Sequence, residues 1–382
     1  MSRTTFVKGL FLFAAAGFLN IEAVENETVM NWQKRNREIP EMEMQVCCDD
    51  PCRRYQPRLD ILVWQADEDG LEYGTKMEAT PIIGVASSTR TELLDLDFDW
   101  DPGFLLGFGY LISDFDSWAI DVNWTHIHNH AHGRTTSEGI EGQTTLVDTI
   151  VPTWVNLLFE LRFGASLASA HWDLHYDTLD FELRKSICLS ERLLLKPHFG
   201  VRGAWIDQHY KAKYDTLLLL AADSTPFPRL VTFIGDTDFK AAGLRGGSEV
   251  VCRLTTEWHL FSQFSANILY GKFEVHMKNL NDQSLGEGGV LPSPMNFFAS
   301  EHFKRIRLNF EEAVGFGWER LFRCEKYRLC LRAAFEMSQW LQQNELFTTF
   351  YFRGQDTISS FPVRSQGDLS FMGVRLSGQF DF

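Results

Sequence analysis

The chain has 382 residues, 23% charged and 45% hydrophobic, which excludes a disordered or fibrous polypeptide. Its formal charge is −15, from 36 basic and 51 acidic side chains, so it lacks the basic face that nucleic acid requires. The chain is rich in aromatics (32 Phe, 11 Trp, 9 Tyr), and no apolar run of about 18 residues follows the N-terminal stretch, which excludes a helical membrane span and leaves either a β-rich soluble protein or a membrane protein whose apolar residues are spread two apart.

At the N-terminus, Arg3 and Lys8 precede an apolar stretch from Gly9 to Leu19, the length of a signal-peptide core and too short to span a bilayer. A small-residue exit at Ala23 predicts a signal peptide over 1–23, a polar cysteine-containing segment over 24–56, and a strand domain over 57–382. Export puts the seven cysteines where disulfides persist. Cys47, Cys48 and Cys52 cluster ahead of the first strand, and their spacing lacks the paired CxxC geometry of a zinc site. Cys324 and Cys330 flank a short turn and could bridge a hairpin, whereas Cys188 and Cys252 stand alone. An odd count leaves one thiol unpaired or bonded to another chain.

Alternation governs the rest of the chain. Phe104, Leu106, Phe108, Tyr110 and Ile112 share one face opposite Gly107 and Gly109. After a short turn at 113–116, Trp118, Ile120, Val122 and Trp124 alternate with Ala119, Asp121 and Asn123. Ala170, Trp172, Leu174 and Tyr176 are even-numbered, yet beyond Asp177-Thr178 the apolar set is Leu179, Phe181 and Leu183, which predicts a turn there. Further alternating segments cover 193–207, 240–256, 258–272, 304–320 and 327–339, with weaker ones near 214–221, 228–234 and 347–353. The final stretch sets Met372, Val374, Leu376, Phe380 and Phe382 against Arg375, Ser377, Gln379 and Asp381.

The polar face carries the information. Charges such as Asp180, Glu182 and Arg184 share it, and a dry core holding that many would cost several kcal/mol each without pairing. Water inside a cylinder solvates them cheaply, and lipid outside accepts the apolar set. The prediction is an all-β, transmembrane antiparallel β-barrel of about 14–16 strands, with short periplasmic turns and long extracellular loops. Short turns are expected at 113–116, 189–192, 256–258 and 322–326, and long loops at 127–150, 211–238, 279–303 and 343–366. Lumen-lining candidates are Arg202, Arg245, Glu249, Arg253, Arg305, Arg307, Glu311, Arg328, Arg332, Glu336 and Arg375, whose basic excess suggests mild anion preference. Phe380 and the terminal Phe382 fit a barrel-assembly signal.

Several blocks carry a family resemblance: FDWDPGFLLGFGY (98–110), WTHIHNHAHG (124–133), HWDLHYDTLDFEL (171–183), KPHFGVRGAWIDQHY (196–210), ILYGKFEVH (268–276) and GVRLSGQFDF (373–382). Together they resemble the major outer membrane protein-like porins of chlamydiae and related bacteria, a group similar to the Legionella major outer membrane protein. The resemblance implies a pore-forming barrel in the bacterial outer membrane, often cysteine-crosslinked within the envelope, with no catalytic residues. Cys47, Cys48 and Cys52 lie outside the matching blocks.

Other constellations have plainer readings. His126, His128, His130 and His132 recur at period two, a spacing that can bind zinc or copper. They continue the lipid-facing phase of Trp118 to Trp124, so the expectation is an interfacial girdle, with no metal and no cofactor. An outer-membrane hydrolase would need a Ser and a His on the outer wall, and no Ser sits two residues from His126, His128, His130 or His132 within an outward-facing strand pattern. Asp180 and Glu182 share a face with Arg184, as charge balance in a lumen wall requires, and Gly243, Gly246 and Gly247 precede no helix and form no phosphate loop. The expected function is a porin passing ions and small hydrophilic solutes passively; the alternatives are a disulfide-crosslinked envelope protein or a surface adhesin. The expected partners are outer-membrane lipid, the barrel-assembly machinery, further copies of this chain and disulfide-linked envelope proteins.

Overall fold

The alternating segments form ten long strands: β1 (Tyr55–Glu68), β2 (Trp100–Ile112), β3 (Trp118–Thr136), β4 (Arg162–Lys185), β5 (Leu193–Leu219), β6 (Pro226–Arg253), β7 (Trp258–Gln283), β8 (Phe297–Phe322), β9 (Tyr327–Trp340) and β10 (Leu369–Asp381). The structure, a computed structural model, describes residues 54–382 except 83–84, 113–117, 138, 142–144, 155–161, 220–225, 284–295, 324–325 and 354–357. The expected signal peptide, the Cys47/Cys48/Cys52 cluster and Cys324 lie outside the described residues.

Each strand pairs antiparallel with the next in sequence, and β10 pairs with β1, so the sheet closes on itself. Closure leaves no open edge in the ring and satisfies the backbone, as hydrocarbon requires. The amide of Tyr55 donates to the carbonyl of Phe382 at 3.0 Å, and the amide of Phe382 returns the bond at 3.0 Å. Outside the ring, Gly74–Ile82 pairs with Val85–Leu94 and with Thr145–Pro152, and Phe347–Arg353 pairs with Ile358–Arg364.

The barrel is therefore as expected in kind, but its ring has ten strands among the described residues, not 14–16. The excess came from strand length. β4 to β8 run 24, 27, 28, 26 and 26 residues, whereas about ten tilted residues cross a bilayer. The weak segments at 214–221 and 228–234 are the far ends of β5 and β6. The expected long loops at 127–150, 211–238 and 279–303 are in good part strand, since β3 runs to Thr136, β5 and β6 continue to Leu219 and from Pro226, and β7 and β8 reach Gln283 and Phe297. No turn interrupts Asp177-Thr178: β4 passes straight through. There the apolar set changes face, with Trp172, Leu174 and Tyr176 buried inside and Leu179 and Phe181 exposed outside.

That change of face marks the membrane. Outward-facing Leu59, Ile61, Phe108, Phe181, Val201, Leu244, Ile268, Phe316, Leu331 and Val374 form an exposed apolar belt around the lower part of the ring. Aromatics border it, with Trp100, Trp124, Trp205 and Tyr270 above and Tyr55, Trp258, Phe380 and Phe382 below, the two girdles of a spanning barrel. The short connections, including 189–192 and 254–257, lie at the end where Tyr55 meets Phe382.

Candidate functional site

Inside the belt, the inward residues of the strands meet as a layer of paired charges. Arg202 on β5 makes a two-pronged contact with Asp180 on β4, Nε to Oδ1 and Nη2 to Oδ2, both at 2.6 Å. The same guanidinium reaches across the lumen to Glu311 on β8 and donates to Asn309 at 2.9 Å. Arg245 on β6 holds Glu182, donates to Glu311 at 2.6 Å and to Asn267 at 3.1 Å. Below them Arg332 donates to Glu249 at 3.0 Å, with Lys196 3.5 Å from the same carboxylate. Arg375 sits 2.8 Å from Glu336, Arg328 2.5 Å from Asp381, Arg253 3.3 Å from Glu319, and Arg184 2.7 Å from Asp121. Glu311 and Glu249 each bind a guanidinium from a strand that is not a neighbour, Arg202 and Arg245 for the first and Arg332 for the second, so the network spans the interior.

All eleven candidate lumen residues face inward. Nine line one cavity of about 140 Å³, room for roughly ten waters, and Arg305 and Arg307 lie above it. The carboxylates Asp60, Asp121, Asp180, Glu182, Glu319 and Asp381 were absent from that set, although each sits in the inward phase of its strand. With them the layer is close to charge-balanced, and the basic excess read from sequence disappears.

Above the ionic layer the interior turns apolar. Tyr176, Trp340, Phe371, Phe239 and Phe273 pack with ring centroids 4.8 Å apart for Tyr176–Phe371 and 4.3 Å for Phe239–Phe273. Two connections fold into this space. The hydroxyls of Tyr210 and Tyr214 donate to the carbonyls of Leu71 and Tyr73 at 3.2 and 2.6 Å, pinning the segment after β1. The segment after β9 buries Gln343, Asn344 and Glu345, and Glu345 accepts from Arg305 at 2.7 Å, from Arg364 at 3.2 Å and from Arg307. Part of the expected exterior loop 343–366 thus plugs the lumen, because its Glu345 carboxylate meets Arg305 and Arg307 of β8 there, with Arg364 of the same segment beside it.

Other predicted residues are placed as follows. Phe380 stacks on Tyr327 at 5.7 Å and Phe382 packs against Tyr55 at 5.5 Å, both on the outer face. Cys330 is a buried thiol on β9, and its candidate partner Cys324 lies outside the described residues. Gly243, Gly246 and Gly247 lie within β6, as strand residues. Same-strand spacing concealed one contact: His276 on β7 and Ser300 on β8 stand opposite each other, with Nδ1 and Oγ 3.0 Å apart, and no further hydrogen bond orients that imidazole among the described residues. His126, His128, His130 and His132 continue the outward face beyond Trp124, as read from sequence, but on a strand that runs on to Thr136.

A closed cylinder with an apolar belt outside, aromatic rims and ion-paired charges inside is a transmembrane β-barrel of the outer-membrane type. Residues 50–382 match the family model of the Legionella pneumophila major outer membrane protein precursor, and the chain belongs to that family, in the bacterial outer membrane. No curated protein matches it in sequence. Among solved structures it is similar to the outer membrane protease OmpT from Escherichia coli, at 8% identity and TM-score 0.36, covering 86% of this chain and 97% of that one. It is also similar to the CymD monoaromatic hydrocarbon channel (8%, TM-score 0.27, 89% and 93%) and to a Pseudomonas aeruginosa FadL homologue (8%, TM-score 0.25, 86% and 90%).

Proposed function

We propose that this protein is a non-catalytic outer-membrane channel that passes ions and small hydrophilic solutes passively through a narrow, charge-lined lumen. The ionic layer at membrane depth supports this reading. A barrel that served only as a wall would be more cheaply filled with apolar side chains, because replacing buried ion pairs by packed hydrophobic residues is often neutral or stabilising. Charges ranged along a cavity with room for water suit a conducting path. Ten strands enclose far less space than the 16–18 that leave a wide aqueous channel, so the path is a constriction.

The aromatic layer above the charges favours a second reading, a closed envelope barrel with a structural role, crosslinked through cysteines. Single-channel recording on the purified protein in planar bilayers, with and without reductant, separates the two. The channel reading expects small, discrete current steps that persist on reduction. Silence in both conditions, with high-molecular-weight bands that collapse on reduction, supports the structural reading.

A further inference from the structure

The lumen leaves unexplained the histidines on the outer wall of β3 and β4. Above the upper aromatic rim they form four cross-strand pairs: His126 opposite Asp177, His128 opposite His175, His130 opposite Asp173 and His132 opposite His171. Alternate residues of a strand share one face, so all eight side chains project outward beyond the apolar belt. Asp177 is already engaged, accepting from Trp124 Nε1 at 3.0 Å and lying 2.9 Å from His126 Nδ1.

The middle of the ladder is different. His128 Nε2 and His130 Nε2 point at the same oxygen, Asp173 Oδ1, from 4.0 and 3.8 Å. The three ligand atoms all lie within 4.8 Å of one another. These separations are too long for hydrogen bonds. Ligand atoms 2.0–2.1 Å from a tetrahedral ion are about 3.3 Å apart, so small side-chain rotations would close the set on one ion.

Two observations point to a cation. His128 Nε2 is sheltered and has no hydrogen-bond partner among the described residues. On His130 the opposite nitrogen, Nδ1, lies 3.2 Å from Asp101 Oδ2, an oxygen already fixed by the His130 backbone amide at 2.9 Å. A proton on Nδ1 donated to that carboxylate leaves Nε2 as a bare lone pair aimed at Asp173, an arrangement a bound ion makes favourable. The carboxylate behind an imidazole is the usual outer support of a histidine metal ligand. His128 is held by stacking on His175, with centroids 3.9 Å apart and planes 16° off parallel, and the second oxygen of Asp173 lies 3.1 Å from His171 Nε2.

We infer that His128, His130 and Asp173 form a binding site for a divalent transition-metal ion of the zinc or copper class on the exterior wall of the barrel. Two imidazole nitrogens and one carboxylate oxygen suit such ions and leave a coordination position open to water or to an external ligand. The site is separate from the lumen, so it stands or falls independently of conduction.

The test uses untagged, full-length protein folded in detergent and titrated with Cu²⁺ or Zn²⁺ alone. One equivalent is expected to bind saturably, with nitrogen hyperfine structure from two imidazoles in the Cu²⁺ paramagnetic resonance spectrum. Asp173→Asn, close in size and tolerant of the fold, and the pair His128→Gln/His130→Gln should each weaken binding by at least about tenfold. Asp101→Asn should weaken it by roughly 10–100-fold while keeping the two-nitrogen signature. His302→Gln, on the wall of β8, should change nothing. Gel migration of unheated samples reports whether each variant is folded. Absence of saturable binding, or binding that survives intact in folded Asp173→Asn, would overturn the assignment.

Discussion

Arg202 and Asp180 meet as a fork in the barrel interior, with two parallel contacts of 2.6 Å between adjacent strands and almost no exposure of either side chain. A buried pair of this kind adds little over an apolar replacement, and the loss of Asp180 takes the two-pronged partner from Arg202 while Glu311 and Asn309 still hold it. Asp180→Asn is therefore expected to lower the unfolding free energy by about 1–3 kcal/mol, read from urea unfolding of the folded barrel. A loss well under 1 kcal/mol would show that water already solvates the Arg202 guanidinium.

Glu345 offers a direct handle on conduction. It is buried against Arg305, Arg307 and Arg364 and holds the segment after β9 inside the lumen. Glu345→Gln removes the charge that all three guanidinium groups share. If the segment gates the path, open probability in bilayers should rise at least about tenfold, because the energy at stake exceeds the 1.4 kcal/mol that such a shift needs. Currents identical to wild type would show that the segment is a fixed part of the wall.

Selectivity should follow local balance. Glu249 neutralises Arg332 and Lys196 in the ionic layer. Its change to Gln leaves two cations facing the cavity. A unit charge about 8 Å from an ion in water is worth roughly 0.5 kcal/mol, with opposite signs for chloride and potassium, so chloride over potassium permeability should rise on the order of fivefold. Reversal potentials in a salt gradient measure this, and an unchanged or cation-shifted potential would contradict the placement of the path.

Gly243 tests the packing of neighbouring strands. A β-carbon there would stand 2.0 Å from the carbonyl oxygen of Ile268 and 2.6 Å from the α-carbon of Leu269, both backbone atoms that cannot swing aside. Gly243→Val should cost at least about 1–3 kcal/mol and reduce the folded fraction seen on unheated gels. Gly246, with a single atom 3.9 Å away, should accept alanine with little loss.

Legibility in the sequence tracked what each strand had to satisfy locally. The outward faces of β10 and β2 could be read because one apolar and one polar phase persists over the whole membrane crossing. In β4 the apolar phase moves from the outside at Leu179 to the inside at Trp172 with no break in the backbone. An uninterrupted strand that leaves lipid and begins to wall a packed interior resembles two strands joined by a turn, and this inflated the count. The inward charges were readable one strand at a time, but their partners across the lumen were not: nothing near Glu311 in sequence points to Arg202, and nothing near Glu345 points to Arg307. The His128/His130 pair was visible as a repeat, whereas Asp173 joined it only through the register of β3 against β4.

The seam between Tyr55 and Phe382 has a kinetic consequence. The first and last strands are far apart in the polypeptide, so sealing the cylinder carries a large loop-closure entropy and a high contact order, both of which slow folding. Until the carboxy-terminal strand arrives, β1 and the growing edge present unsatisfied amides and carbonyls that can pair with any other chain. A polypeptide built this way must be kept apart from its own kind during transit, and a truncation that removes the whole of β10 leaves a curled sheet with two sticky borders.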